Sequence, residues 1–294
     1  MTHDFPTLAV SGRHRARRAV VSVLGVLLVL LAVSGAADRQ GAEQVEAGFQ
    51  RSLVAFGIAR TLNGVISVVQ NTGISFQPAG VGVTLAPGQV LDPVNDLVER
   101  FSWVMLVSGT SFGIQRLLLE ILASPGVSLA LALLVALLLA VSWREQGTLA
   151  RRRAWLLRVT LFVAMARFAV PVLAISGEAL HELFMADRYV QAVAGLEETA
   201  VTLGELAEEA RPATETDPTL AERLRQWYTE AGAALDVEAR IDEYRALAAR
   251  AAEQTLDLIV VFTFQTVVLP LLFLWLVVFA YRNLVRAWRD AVRP

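Results

Sequence analysis

Four stretches of this chain, residues 19–36, 124–143, 154–176 and 258–281, are apolar and almost free of charge. At 1.5 Å of rise per residue, about 20 helical residues cover the ~30 Å of hydrocarbon in a bilayer. Only a helix or a closed barrel can satisfy its own backbone there. The pattern predicts an all-α integral membrane protein with four transmembrane helices. Composition agrees, since 55% of the 294 residues are hydrophobic, well above what a soluble domain of this size uses.

The arginines orient the spans. Arg13, Arg15, Arg17 and Arg18 precede the first, and Arg144, Arg151, Arg152 and Arg153 lie between the second and third. Arg282, Arg286, Arg289 and Arg293 follow the fourth. Only Asp4, Glu145 and Asp290 offset them. Short basic flanks stay in the cytoplasm, and Trp143, Trp155, Tyr281 and Trp288 fall at the same boundary, where interfacial aromatics collect. The expected order is a cytoplasmic tail (1–18), a first span (19–36), an outer region (37–123) and a second span (124–143). A cytoplasmic loop (144–153), a third span (154–176), a second outer region (177–257), a fourth span (258–281) and a cytoplasmic tail (282–294) complete it. Residues 13–37, with Ser34-Gly35-Ala36 before Ala37, also fit a cleavable signal, but the apolar run exceeds a typical signal core.

The chain has no cysteine, which removes disulfides, thiolate chemistry and cysteine zinc sites. Every basic residue other than histidine is arginine, a bias expected of a GC-rich bacterial genome and hence of a bacterial inner membrane. The net charge of -2 argues against nucleic-acid binding, which needs a basic surface. No cofactor or metal motif is present.

In the first outer region, 53–70 and 97–122 are apolar and read as amphipathic or partly inserted helices; two further crossings would keep both termini inside. Between them Pro78, Gly80, Gly82, Pro87 and Gly88 predict a loop with a short strand at 81–85. Asp92-Pro93 reads as the cap and first residue of the next helix. Gly109-Thr110-Ser111-Phe112-Gly113 fits G-x-x-x-G, a face for close helix packing by Gly109 and Gly113. It also fits G-x-S-x-G, the nucleophile elbow, with His181 as the base. That elbow needs a strand–turn–helix, which an apolar helical stretch does not supply, so no catalytic residues and no enzyme activity are expected.

The second outer region holds 18 acids and 7 arginines and reads as a helical hairpin. Tyr189, Val193, Leu196, Ala200, Leu203, Ala207 and Ala210 alternate at four and three, and Ile241, Tyr244, Ala248, Ala251, Thr255 and Leu258 at three and four. Such seams suit pairing with another helix, as in a coiled coil. One straight helix is expected over 178–210. After the breakers Arg211-Pro212 and Asp217-Pro218, another runs over 219–234, and a last begins at Asp236. The topology resembles that of tetraspanins, without their cysteine framework.

An ionisable side chain inside a span is a functional candidate by default. Arg158 can reach the inner interface, but Arg167 lies about 13 Å from the outer end of its span. Gln265, Thr266, Glu120 and Asp257 are its candidate partners. Pro171 and Pro270 interrupt the third and fourth spans and free the carbonyls of Arg167 and Thr266. The function expected is a non-enzymatic scaffold, adaptor or regulatory subunit. Its residues 177–257 would bind envelope partners or a second copy. The alternative is a channel or transporter with a path near Arg167 and Gln265.

Overall fold

The computed structural model describes residues 7–71, 74–76, 83–85, 90–143, 150–209 and 220–290, and they are helical apart from one small β-ribbon. Helices α1 (Thr7–Ser34) and α2 (Ala36–Asn71) come first. Strands β1 (Ile74–Phe76) and β2 (Val83–Leu85) follow, then α3 (Asp92–Leu122), α4 (Pro125–Trp143), α5 (Ala150–Phe184) and α6 (Ala186–Glu209). Helix α7 (Leu220–Thr263), a π-helical stretch (Phe264–Val268) and α8 (Leu269–Asp290) end the order. The strands pair antiparallel with Ser75 opposite Thr84, so part of the expected 81–85 strand is found. Ala210 and the breakers at Arg211-Pro212 and Asp217-Pro218 lie outside the described residues, as does the Gly/Pro-rich run flanking β2.

The elements form four long helical passages, and each is interrupted once. Gly35 separates α1 from α2 with φ 62°, the left-handed conformation that glycine adopts at little cost after a helix end. Pro125, which has no amide hydrogen and disfavours helical geometry in the residue before it, opens α4 after a two-residue turn. The third break is at Met185, although its amide still donates to the His181 carbonyl at 2.8 Å; nothing in the local sequence explains it. The fourth is the π-helical stretch. Pro270 lacks an amide hydrogen, and in a regular α-helix its ring would clash with the Thr266 carbonyl, a clash that the wider π-helical turn before it relieves.

Two expectations change here. The single straight helix over 178–210 is two helices divided at Met185. The restart at Asp236 does not occur, because 220–263 contains no proline and its intrahelical ladder continues through.

Five described helices are long and apolar enough to cross a membrane: Ala36–Gln70, Asp92–Leu122, Pro125–Trp143, Arg153–Phe184 and Ile241–Trp288. Ala19–Ser34 is a shorter apolar segment. The chain is a helical multi-pass membrane protein.

It divides into two compact units. The first comprises Met1–Gly48, Ser111–Ala179 and Val267–Pro294; the second comprises Phe49–Thr110 and Leu180–Thr266. All four passages contribute to both.

In the first unit, Ala32 of α1 is buried with Leu131 and Val135 of α4 and Ala164 of α5. Small residues set the spacing: a side chain on Gly25 would stand 3.0 Å from Val135. Outward, α1 shows Leu27 and Leu30, α4 Leu129 and Leu133, and α8 Leu271 and Trp275. Small residues between helices and large apolar ones outside is the pattern of helices solvated by acyl chains.

The second unit has one core shared by four helices. Leu62 and Ile66 of α2, Val98 and Phe101 of α3, Leu196 and Leu203 of α6, and Leu258 and Phe262 of α7 are buried together. Both seams close here. Leu196, Ala200, Leu203 and Ala207 on α6 and Tyr244, Ala248, Ala251, Thr255 and Leu258 on α7 are all buried.

Candidate functional site

Arg167 is the most deeply buried charged side chain among the described residues, 1% exposed. Its Nη1 and Nη2 donate to the two carboxylate oxygens of Asp38 at 2.6 and 2.5 Å, and Nη2 also reaches the Ala32 carbonyl at 3.4 Å. The partner is therefore Asp38, in the first turn of α2. It replaces the expected Gln265, Thr266, Glu120 or Asp257, and Glu120 instead pairs with Arg116 on its own helix.

The placement follows helix electrostatics. Residues 31–34 end α1, whose last carbonyls lack intrahelical partners and carry partial negative charge. The guanidinium meets that end through Ala32. Asp38 sits at the opposite pole, the positive N-terminus of α2. Local bonds complete the junction: Ser34 Oγ donates to the Leu31 carbonyl, and the Arg39 side chain donates to the Ser34 carbonyl at 3.0 Å. Beside the pair, a side chain on Gly41 would lie 2.9 Å from the Pro171 Cα, so α2 and α5 touch backbone to backbone. Pro171 itself lies within a continuous α5. The arrangement fixes three helix segments around one buried charge pair, in which both Nη atoms are bonded and the Arg167 Nε is left without a hydrogen-bond partner.

Gln265 and Thr266 lie in the π-helical stretch and are buried. The Thr266 hydroxyl lies 2.7 Å from the Phe262 carbonyl, to which it donates, and 3.2 Å from the Ser108 hydroxyl. The Gln265 Oε1 is buried without a hydrogen-bond partner.

The two glycines of the packing motif differ. A side chain on Gly109 would meet Ser52 Oγ at 3.1 Å, whereas one on Gly113 would meet open space. The further close approach is at Gly48, which leaves room for the Phe112 ring. Ser111 lies inside the unbroken helix α3, without the strand–turn geometry of a nucleophile elbow. His181 is buried with its ring edge-on to Tyr189 at 5.9 Å. Burial pushes the Tyr189 phenol above its ordinary value, with Arg51 opposing and Glu197 adding to the effect. Among the described residues, no group of three His, Asp or Glu is placed to hold a metal.

Sequence reasoning missed Asp38, Gly41 and Gly48. Asp38 is 129 positions from Arg167 and follows the end of an apolar run, where an exposed charge is ordinary. The two glycines form no short-spaced motif.

Comparison with known protein families, curated proteins and solved structures finds no match to this chain.

Proposed function

We propose that the chain is a non-enzymatic scaffold, adaptor or regulatory subunit of a bacterial inner membrane. It crosses four times, both termini are cytoplasmic, and residues 177–257 lie outside as the partner-binding region. The core that α2, α3, α6 and α7 share within the second unit carries the reading. Helices α6 and α7 present Glu197, Glu198, Glu205, Asp242, Glu243 and Glu253 outward, and a face this acidic stays in water. Because α2 and α3 bury Leu62, Ile66, Val98 and Phe101 in the same core, those parts of them are held with α6 and α7. Their hydropathy reflects that core rather than two further crossings. The arginine flanks support cytoplasmic termini.

With both seams filled within the chain, partner binding falls to the acidic outward faces, which complement a basic segment of a partner or of a second copy. A photo-crosslinking residue at Glu198 or Glu205 in living cells is expected to yield a discrete adduct. A monodisperse monomer that gives none at either position counts against the proposal.

One observation favours the channel or transporter alternative: the buried, unpartnered Gln265 Oε1 beside a helix break. Arg167 supports it less, since Asp38 neutralises its charge. Ion flux in proteoliposomes that Gln265→Leu abolishes would carry that reading; no flux from folded protein sets it aside.

A further inference from the structure

Four contacts place one level across the second unit. Ser52 of α2 lies against Gly109 of α3. Ser108 meets Thr266 at 3.2 Å, the Tyr189 hydroxyl donates to the Arg51 carbonyl at 3.5 Å, and the Tyr189 and Phe262 rings are 6.1 Å apart. Around this level every passage shows large apolar side chains outward. Helix α2 shows Leu53 and Val54, and α3 shows Trp103, Leu106 and Val107. Phe184 and Val190 flank the Met185 break, and α7 shows Leu256 and Val260.

Further along, each helix carries an exposed charge: Arg60 on α2, Glu99 and Arg100 on α3, Glu197 on α6, Glu253 on α7; beyond it Val68 on α2 and Val201 on α6 are single exposed apolar side chains. On α3 and α7 the change takes one turn, from Arg100 to Trp103 and from Glu253 to Leu256.

From this pattern we infer that this end of the second unit is seated in the headgroup zone of a lipid bilayer. Its aqueous boundary runs past Arg60, Arg100, Glu197 and Glu253. A protein partner covers one side of a helical body, whereas large apolar side chains exposed at one level on all four passages are what a planar apolar boundary imposes. Trp103 marks the edge as interfacial tryptophans do. Gln50, Asp187 and Arg188 are exposed within the belt, which suits the headgroup zone, where such groups reach water, and not the acyl centre. The inference holds whichever face of the membrane the unit occupies, so it can fail while the proposed topology stands, and the reverse.

The natural absence of cysteine gives a clean background for the test. Val54, Trp103, Val190 and Val260 are replaced singly by cysteine, as are Glu99, Glu197 and Glu253; these positions are exposed and tolerate the change. The full chain, labelled with bimane, is reconstituted in phosphatidylcholine vesicles containing phospholipid spin-labelled near the headgroup. Loss of fluorescence at all four apolar positions, and none at the three acidic ones, is the expected result. Unquenched belt positions, quenching on one helix alone as a protein-covered face would give, or quenching at the acidic positions too would each overturn the inference.

Discussion

The Arg167 guanidinium on α5 holds both carboxylate oxygens of Asp38 on α2, and reaches back to the Ala32 carbonyl that α1 leaves free. One side chain thereby ties the break at Gly35 to the helix that packs beside it. A lone charge buried here would be costly. The bidentate pair, with opposite helix poles behind each member, removes most of that cost.

Truncating one member leaves the other buried and unpaired. Arg167→Met is expected to lower stability by about 3–5 kcal/mol, and adding Asp38→Leu should restore most of it. Thermal unfolding of the three variants in lipid nanodiscs checks this. A double variant no better than the single one would show that the pair is not the source of the loss.

Two glycine substitutions should act in opposite directions. Gly41→Ala places a methyl 2.9 Å from the Pro171 backbone, which cannot move aside, and should lower the midpoint of unfolding. Gly113→Ala meets open space and should gain about 0.5–1 kcal/mol from helix propensity. Parallel melting curves decide it.

The shared core predicts that distant helices unfold together. Leu196→Ala on α6 and Phe101→Ala on α3 should each cost about 2–5 kcal/mol. Hydrogen exchange should accelerate across α2, α3, α6 and α7 in either variant. Exchange that speeds up only on the mutated helix would separate the unit into independent pairs.

Much of this was legible because the chemistry is local. Length and apolarity mark the helices, and the three–four spacing of Leu196, Ala200 and Leu203 marks the face they bury. What filled that face was not legible, since α2 and α3 look like membrane segments by hydropathy. Their apolar side chains serve either a lipid or a protein core, and composition does not distinguish the two. The Asp38 partnership depends on a contact 129 positions away, and periodicity is blind to it. The break at Met185 has no proline or glycine to announce it.

Tyr189 offers a pH test. Its phenol is raised above 10.0 by burial, so the folded state favours the neutral form. That contribution is fully present below the unfolded value and is lost as pH rises from there through the folded value. Stability should therefore decline above pH 10, and Tyr189→Phe should decline less steeply. Equal slopes for the two proteins would show that Tyr189 ionises as freely folded as unfolded.

The proposed topology has four crossings, and α2 and α3, which share the second unit's core through Leu62, Ile66, Val98 and Phe101, would add two more if they also crossed. Asp96, exposed near the start of α3, distinguishes the two topologies, because two extra crossings would carry it into the cytoplasm. Labelling of Asp96→Cys with a membrane-impermeant maleimide on intact spheroplasts is the direct measurement. Four crossings predict labelling without permeabilisation; labelling only after the membrane is opened would contradict the account.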